Sequence, residues 1–180
     1  MRHTMDMSRD PIVILDGGKR TPRADILHNN KSPGLFSSFT TNQLGALALR
    51  QVLDALTTLG VGLEEFGHVI MGTVGDSNRD SWYGARHVGI LAGLPEDVTA
   101  LTVNRLCGSG AEAIVQGAMK LLIGDTDKPF VAVVGAQSMQ YPHVVHGLRG
   151  RHVKYGPLTT LPPDTALQDM LLLSLFDPKA

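Results

Sequence analysis

The residue types best suited to chemistry gather around one position. Cys107 is the only cysteine among 180 residues, and it stands in Asn104-Arg105-Leu106-Cys107-Gly108-Ser109-Gly110. A strand-like run, Val98 to Val103, leads into it, and an amphipathic helical pattern follows. That order predicts a thiol at the start of a helix, where unpaired backbone N–H groups and the positive end of the helix dipole favour a thiolate. Gly108 and Gly110 would leave the sulfur open to a bulky substrate. The residues alone also allow a second reading, a small buried cysteine packing a strand–helix junction.

Two further groups invite a chemical reading. His143 and His146, with His152 nearby, have a spacing that could serve a metal. No second cysteine or ordered carboxylate cluster accompanies them, so no metal site is expected. Arg149, Arg151, His152 and Lys154 form a basic run in a Gly-containing stretch, which by itself reads as a solvated loop.

The elements that must position Cys107 follow from patterning. Pro11–Leu15 is a compact apolar run that predicts a buried strand, and His28–Phe39 is rich in turn formers and predicts a surface loop. Leu44, Leu47, Ala48, Val52, Ala55, Leu56 and Leu59 make a helical stripe. Val69–Val74 predicts a second strand, Ala85–Ala92 a helix, and the run to Val103 a third strand. Ala111, Ile114, Val115, Ala118 and Leu122 predict the buried face of the cysteine helix, Gly124 its stop, and Phe130–Val134 a fourth strand. Alternating strands and helices imply an α/β fold, βαβαβαβ, with a mostly parallel sheet and helices on both faces. Residues 1–10 read as a disordered lead-in, 11–140 as one domain, and 141–180 as the beginning of another. Ala166–Phe176 is apolar on nearly every side, which predicts a helix that something else must cover.

Composition narrows the function classes. The formal net charge of -1 argues against a general nucleic-acid or membrane-surface binder. No apolar run approaches membrane-spanning length. A lone cysteine excludes an intrachain disulfide and suits a reducing, cytoplasmic setting.

The ordered landmarks resemble one enzyme family. Asn104–Gly110 followed by Ala113-Ile114 resembles the nucleophile motif of the thiolases, the acyl-CoA C-acyltransferases. Lys19-Arg20-Thr21-Pro22 is similar to the family's opening turn. Gly72-Thr73-Val74, Ala85-Arg86 and Ala92-Gly93-Leu94-Pro95 keep its order of landmarks. Gln137-Ser138-Met139 with Pro142-His143 resembles the segment leaving the fourth strand, with Gln137 in place of the usual glutamate. Val153-Lys154-Tyr155-Gly156 resembles a basic turn of bacterial biosynthetic members.

The resemblance implies a thiolase-type half-fold plus the start of the inserted loop domain, without the last strand of the first half or the second half. It implies that Cys107 is the acyl-carrying nucleophile, with its backbone N–H in an oxyanion site. It implies acyl-CoA and coenzyme A as substrates, with no bound cofactor. Arg149, Arg151 and Lys154 would lie near the coenzyme A entrance, and Leu175 beside the pantetheine arm. It also implies a second cysteine as acid/base and an activating histidine in Gly-His-Pro, neither of which this sequence contains. The expectation is therefore an incomplete acyltransferase, inactive alone, in a homodimer or tetramer. The alternatives are one subunit of a split thiolase completed by a second chain, and a non-catalytic thiolase-like protein used for dimerisation or lipid binding.

Overall fold

The computed structural model describes residues 11–15, 18–21, 27–28, 32–33, 35–75, 81–138, 143–145 and 167–169. At the start of the expected surface loop, β1 (Leu27–His28) pairs antiparallel with β2 (Ser32–Pro33). Helix α1 (Thr41–Thr58) opens on a capping box. The Gln43 N–H donates to the Thr40 hydroxyl at 3.3 Å, and the Thr40 N–H donates to the Gln43 carboxamide oxygen at 2.9 Å. A 3-10 turn, Leu63–Glu65, leads into β3 (Phe66–Gly72). A second such turn, Ser81–Tyr83, leads into α2 (Gly84–Ala92). Then come β4 (Thr99–Val103), α3 (Ser109–Leu122) and β5 (Phe130–Gly135).

β3 is the centre of a parallel sheet of order β4-β3-β5. Its register pairs Gly72 with Val103 on one side and with Gly135 on the other, so the three strands end together. Because β4 and β5 flank β3 on opposite sides, two crossovers of the same hand must place their helices on opposite faces. The packing agrees: α1 and α2 lie on each other and on one face, while α3 lies on β3 and β5. The α1/α2 face holds the main core, with Val69 and Met71 of β3 set among Leu49, Leu53, Val88 and Leu94. The expected α/β arrangement with helices on both faces is present.

The buried helical faces differ from expectation. On α1 the buried positions are Thr41, Asn42, Gly45, Ala46, Leu49, Leu53 and Leu56, whereas Leu47 and Leu59 are exposed. The true stripe carries small residues, because a Cβ at Gly45 would lie 3.2 Å from both Val88 and Ala136. On α3 the inversion is larger. Ser109, Ala113 and Gly117 face the sheet, while Ile114 and Val115 are 49% and 50% exposed. A Cβ at Gly117 would meet the Val133 side chain at 2.9 Å, so close packing selects the small face and turns the large apolar one outward. α3 stops where Gly124 takes a left-handed φ of 65° and the Asp125 N–H closes back onto the Lys120 carbonyl at 3.1 Å. Asp125 also accepts from Lys120 Nζ at 2.6 Å and lies 3.5 Å from Nε2 of the buried His68, tying this exit to β3.

Pro11–Leu15 is not the buried strand its composition predicts. It forms no ladder, and Ile14 is 73% exposed. It borders an apolar slot of about 400 Å3 along the edge of β5, lined also by α1 and α3. A strand needs partners for its backbone groups, and β5 does not supply them here. In the expected second domain, β6 (His143–Val145) pairs antiparallel with β7 (Leu167–Asp169). Residues 167–169 are therefore strand rather than the start of a helix, their backbone taken up by that pairing. The proposed lead-in 1–10 and the remainder of 166–176 lie outside the described residues.

Candidate active site

Cys107 lies at the carboxyl end of the parallel sheet, the edge at which open α/β sheets place their ligands. β4 ends at Val103 and α3 starts at Ser109 with Gly108 as its N-cap, so the cysteine stands just ahead of the helix rather than within its first turn. The thiol is exposed, which removes the alternative of a buried packing cysteine.

The turn that presents it is closed at several points. The Gly108 N–H donates to the Arg105 carbonyl and the Ser109 N–H to the Leu106 carbonyl, both at 3.0 Å. The Ser109 hydroxyl accepts the Arg105 N–H at 2.9 Å and donates to the Leu106 carbonyl at 2.6 Å. Asn104 accepts the Leu106 N–H at 2.9 Å on its side-chain oxygen, an Asx turn. Leu106 itself has φ 49°, the one left-handed non-glycine among the described residues. Such a backbone costs about 1–3 kcal/mol and persists where its surroundings over-determine it. Here it stands directly before the candidate nucleophile.

Two contacts seat this turn on the sheet. Gly72, at the end of β3, lies against α3 so closely that a Cβ there would sit 2.2 Å from the Ser109 carbonyl oxygen. Only glycine allows the helix start to rest directly on the strand. Beside it, the Asn104 side-chain amide donates to the Val74 carbonyl at 2.7 Å. Gln137, leaving β5, accepts on its side-chain oxygen from the Thr73 hydroxyl at 2.9 Å and from the Val74 and Gly75 N–H groups at 3.0 Å. An amide thus fills the acceptor role at the position where the resemblance expects a carboxylate.

The electrostatics near the thiol are modest. Arg105 and Glu112 pair at 3.3 Å on the surface, and Glu112 sits in the first turn of α3, where a negative charge suits the dipole. Among the described residues no histidine, lysine or carboxylate is bonded to the Cys107 sulfur, and no group of three metal-ligating side chains occurs. Arg149, Arg151, Lys154 and Leu175, expected on the substrate side, lie outside the described residues, as do His146 and His152. Asn104, Leu106, Gly72 and Gln137 were not singled out for these roles by sequence pattern. The one local signal was an Asn two residues before the turn's N–H.

The fold and site define an α/β domain that presents an exposed cysteine at the carboxyl edge of its sheet. The family described as "Thiolase, N-terminal domain" matches residues 15–174, and the chain belongs to the thiolase family, of which it carries an N-terminal portion. Human mitochondrial 3-ketoacyl-CoA thiolase is 39% identical over 166 residues, 92% of this chain and 37% of that protein. The beta-ketothiolase of Cupriavidus necator is 38% identical over 138 residues, 76% of this chain and 32% of its own length. A crystal structure of the human enzyme in complex with CoA superposes with a TM-score of 0.65 at 37% identity, covering 81% of this chain and 34% of that one. The chain thus spans about a third of the length of these relatives.

Proposed function

We propose that this chain is the nucleophile-bearing part of an acyl-CoA C-acyltransferase. In the degradative direction the Cys107 thiolate attacks the 3-keto carbon of a 3-ketoacyl-CoA. The C2–C3 bond breaks, and acetyl-CoA leaves once its carbanion is protonated. The shortened acyl group remains as a thioester on Cys107 until the thiol of a fresh coenzyme A takes it. The observation that carries this reading is the exposed Cys107 held at the end of three parallel strands. We assign the Cys107 backbone N–H to a developing oxyanion, a role the family resemblance supports; those of Gly108 and Ser109 are engaged within the turn. We assign Arg149, Arg151 and Lys154 to the coenzyme A phosphates and Leu175 to the pantetheine arm, and we place the protein in the cytoplasm.

The proton carrier and the activating histidine belong to a second half, supplied by further sequence or by a second chain, within a dimer or tetramer. The outward apolar face of α3 and the open slot beside β5 support completion of this kind over a free-standing, non-catalytic module. The test is incubation with acetyl-CoA followed by peptide mass spectrometry. An acetyl group on the Cys107 peptide, absent in Cys107→Ala, is expected, with acetoacetyl-CoA turnover by the chain alone at background. Acetylation that persists in Cys107→Ala, or none in the folded parent, would overturn the assignment.

A further inference from the structure

The hydrogen bonds of Gln137 lead toward the turn that carries Cys107. Its side-chain oxygen gathers three donors from consecutive residues, 62 to 64 positions away in the chain. Val74 is held from both sides. Its N–H donates to Gln137, and its carbonyl accepts from Asn104. Asn104 in turn accepts the N–H of Leu106, the residue with φ 49°. One unbroken path of hydrogen bonds therefore runs from the end of β5, through the turn after β3, to the residue before the thiol.

We propose that Gln137 is a positioning residue for Cys107, fixing the 73–75 turn so that Asn104 can hold Leu106 left-handed and present the thiol at the start of α3. This rests on Cys107 being the nucleophile. A carboxamide oxygen has two lone pairs and here meets three donors, an arrangement that a carboxylate would satisfy at least as well. Leucine keeps the volume and removes the acceptor. With Gln137→Leu the two N–H groups turn toward water and the Val74 carbonyl shifts away from Asn104. Leu106 then relaxes toward an ordinary backbone conformation.

The single cysteine makes the test site-specific. Iodoacetamide alkylation rates of the 180-residue chain are measured folded and in denaturant, with circular dichroism alongside. The folded parent should react faster than the unfolded chain. Gln137→Leu should lose about five-fold, the factor that one net hydrogen bond of about 1 kcal/mol is worth. Gln137→Glu should restore the parent rate to within about two-fold. Asn104→Ala, which cuts the same path at an exposed side chain, should match Gln137→Leu, and the double variant should lose no more than either single one. A folded Gln137→Leu at the parent rate, or independent effects that multiply in the double variant, would overturn the positioning role. If Gln137→Leu does not fold, Asn104→Ala decides: a folded variant at the parent rate overturns the path. A parent that reacts no faster folded than unfolded removes the nucleophile reading itself, and the positioning role with it.

Discussion

Substituting Gly72 by alanine probes the junction on which the site depends. The added Cβ would lie 2.2 Å from the Ser109 oxygen, 2.4 Å from its carbonyl carbon and 2.8 Å from the Gly110 nitrogen. All three are backbone atoms, so no rotamer change relieves the overlap. Opening the contact to an ordinary carbon separation of roughly 3.5 Å means lifting the start of α3 by about 1 Å. Overpacking of this kind costs about 1–3 kcal/mol, and displacement of main chain puts Gly72→Ala at the upper end. For a chain of this size, about 3 kcal/mol lowers Tm by roughly 6–12 °C. Gly110 supplies the control from across the same junction. A Cβ there meets nothing within 4 Å, and alanine is favoured over glycine inside a helix by about 0.5–1 kcal/mol. Thermal and urea unfolding followed by circular dichroism should therefore move in opposite directions for the two variants. Cys107 alkylation should slow only in Gly72→Ala. A Gly72→Ala protein within about 0.5 kcal/mol of the parent, with unchanged alkylation, would falsify the claim that strand and helix touch through this glycine.

Thr40→Ala removes the side-chain half of the α1 capping box and should lower stability by about 1 kcal/mol in urea titration, with Thr40→Ser recovering most of it. Lys120, by hydrogen bond and charge, holds the Asp125 carboxyl below the usual carboxylate range. A depressed carboxyl stabilises the fold above its unfolded pKa and loses that contribution as pH falls through its lower folded value, so Lys120→Met should flatten the acid limb of the urea midpoint below about pH 4. An unaltered limb would show that the pair contributes nothing. The outward face of α3 should bind a hydrophobic dye and drive self-association of the chain in light scattering across a concentration series. A clean monomer that does not bind dye would mean that this face needs no cover.

What could be read from sequence alone was the part set by local pattern. The apolar runs of β3, β4 and β5, each short and bounded by turn residues, announced the strands of a parallel sheet, and the strand-to-helix passage through Cys107-Gly108 marked the candidate site. The face of α3 was misread because hydropathy rewards large residues, whereas α3 meets its sheet through Ser109, Ala113 and Gly117; on α1 the buried face is turned toward Leu49 and Leu53, beside Gly45 and Ala46. Pro11–Leu15 has a strand's composition but no ladder partner, a property its own residues cannot encode. The parts played by Gln137 and by Val74 arise from contacts 30 to 64 residues apart, beyond any local window. Leu106 carries no side-chain signal for a left-handed backbone, which its neighbours impose.

The meeting of Gly72 and Ser109 has a consequence for motion. Because main chain rests on main chain there, the end of the central strand and the first turn of α3 act as one rigid lever. The thiol sits in the short hydrogen-bonded turn just ahead of that lever. Closed onto the helix start by the Gly108 and Ser109 N–H groups, that turn should follow the sheet more than the surface loops. Amide exchange in this first turn should thus proceed in step with β3 and not with the surface segments.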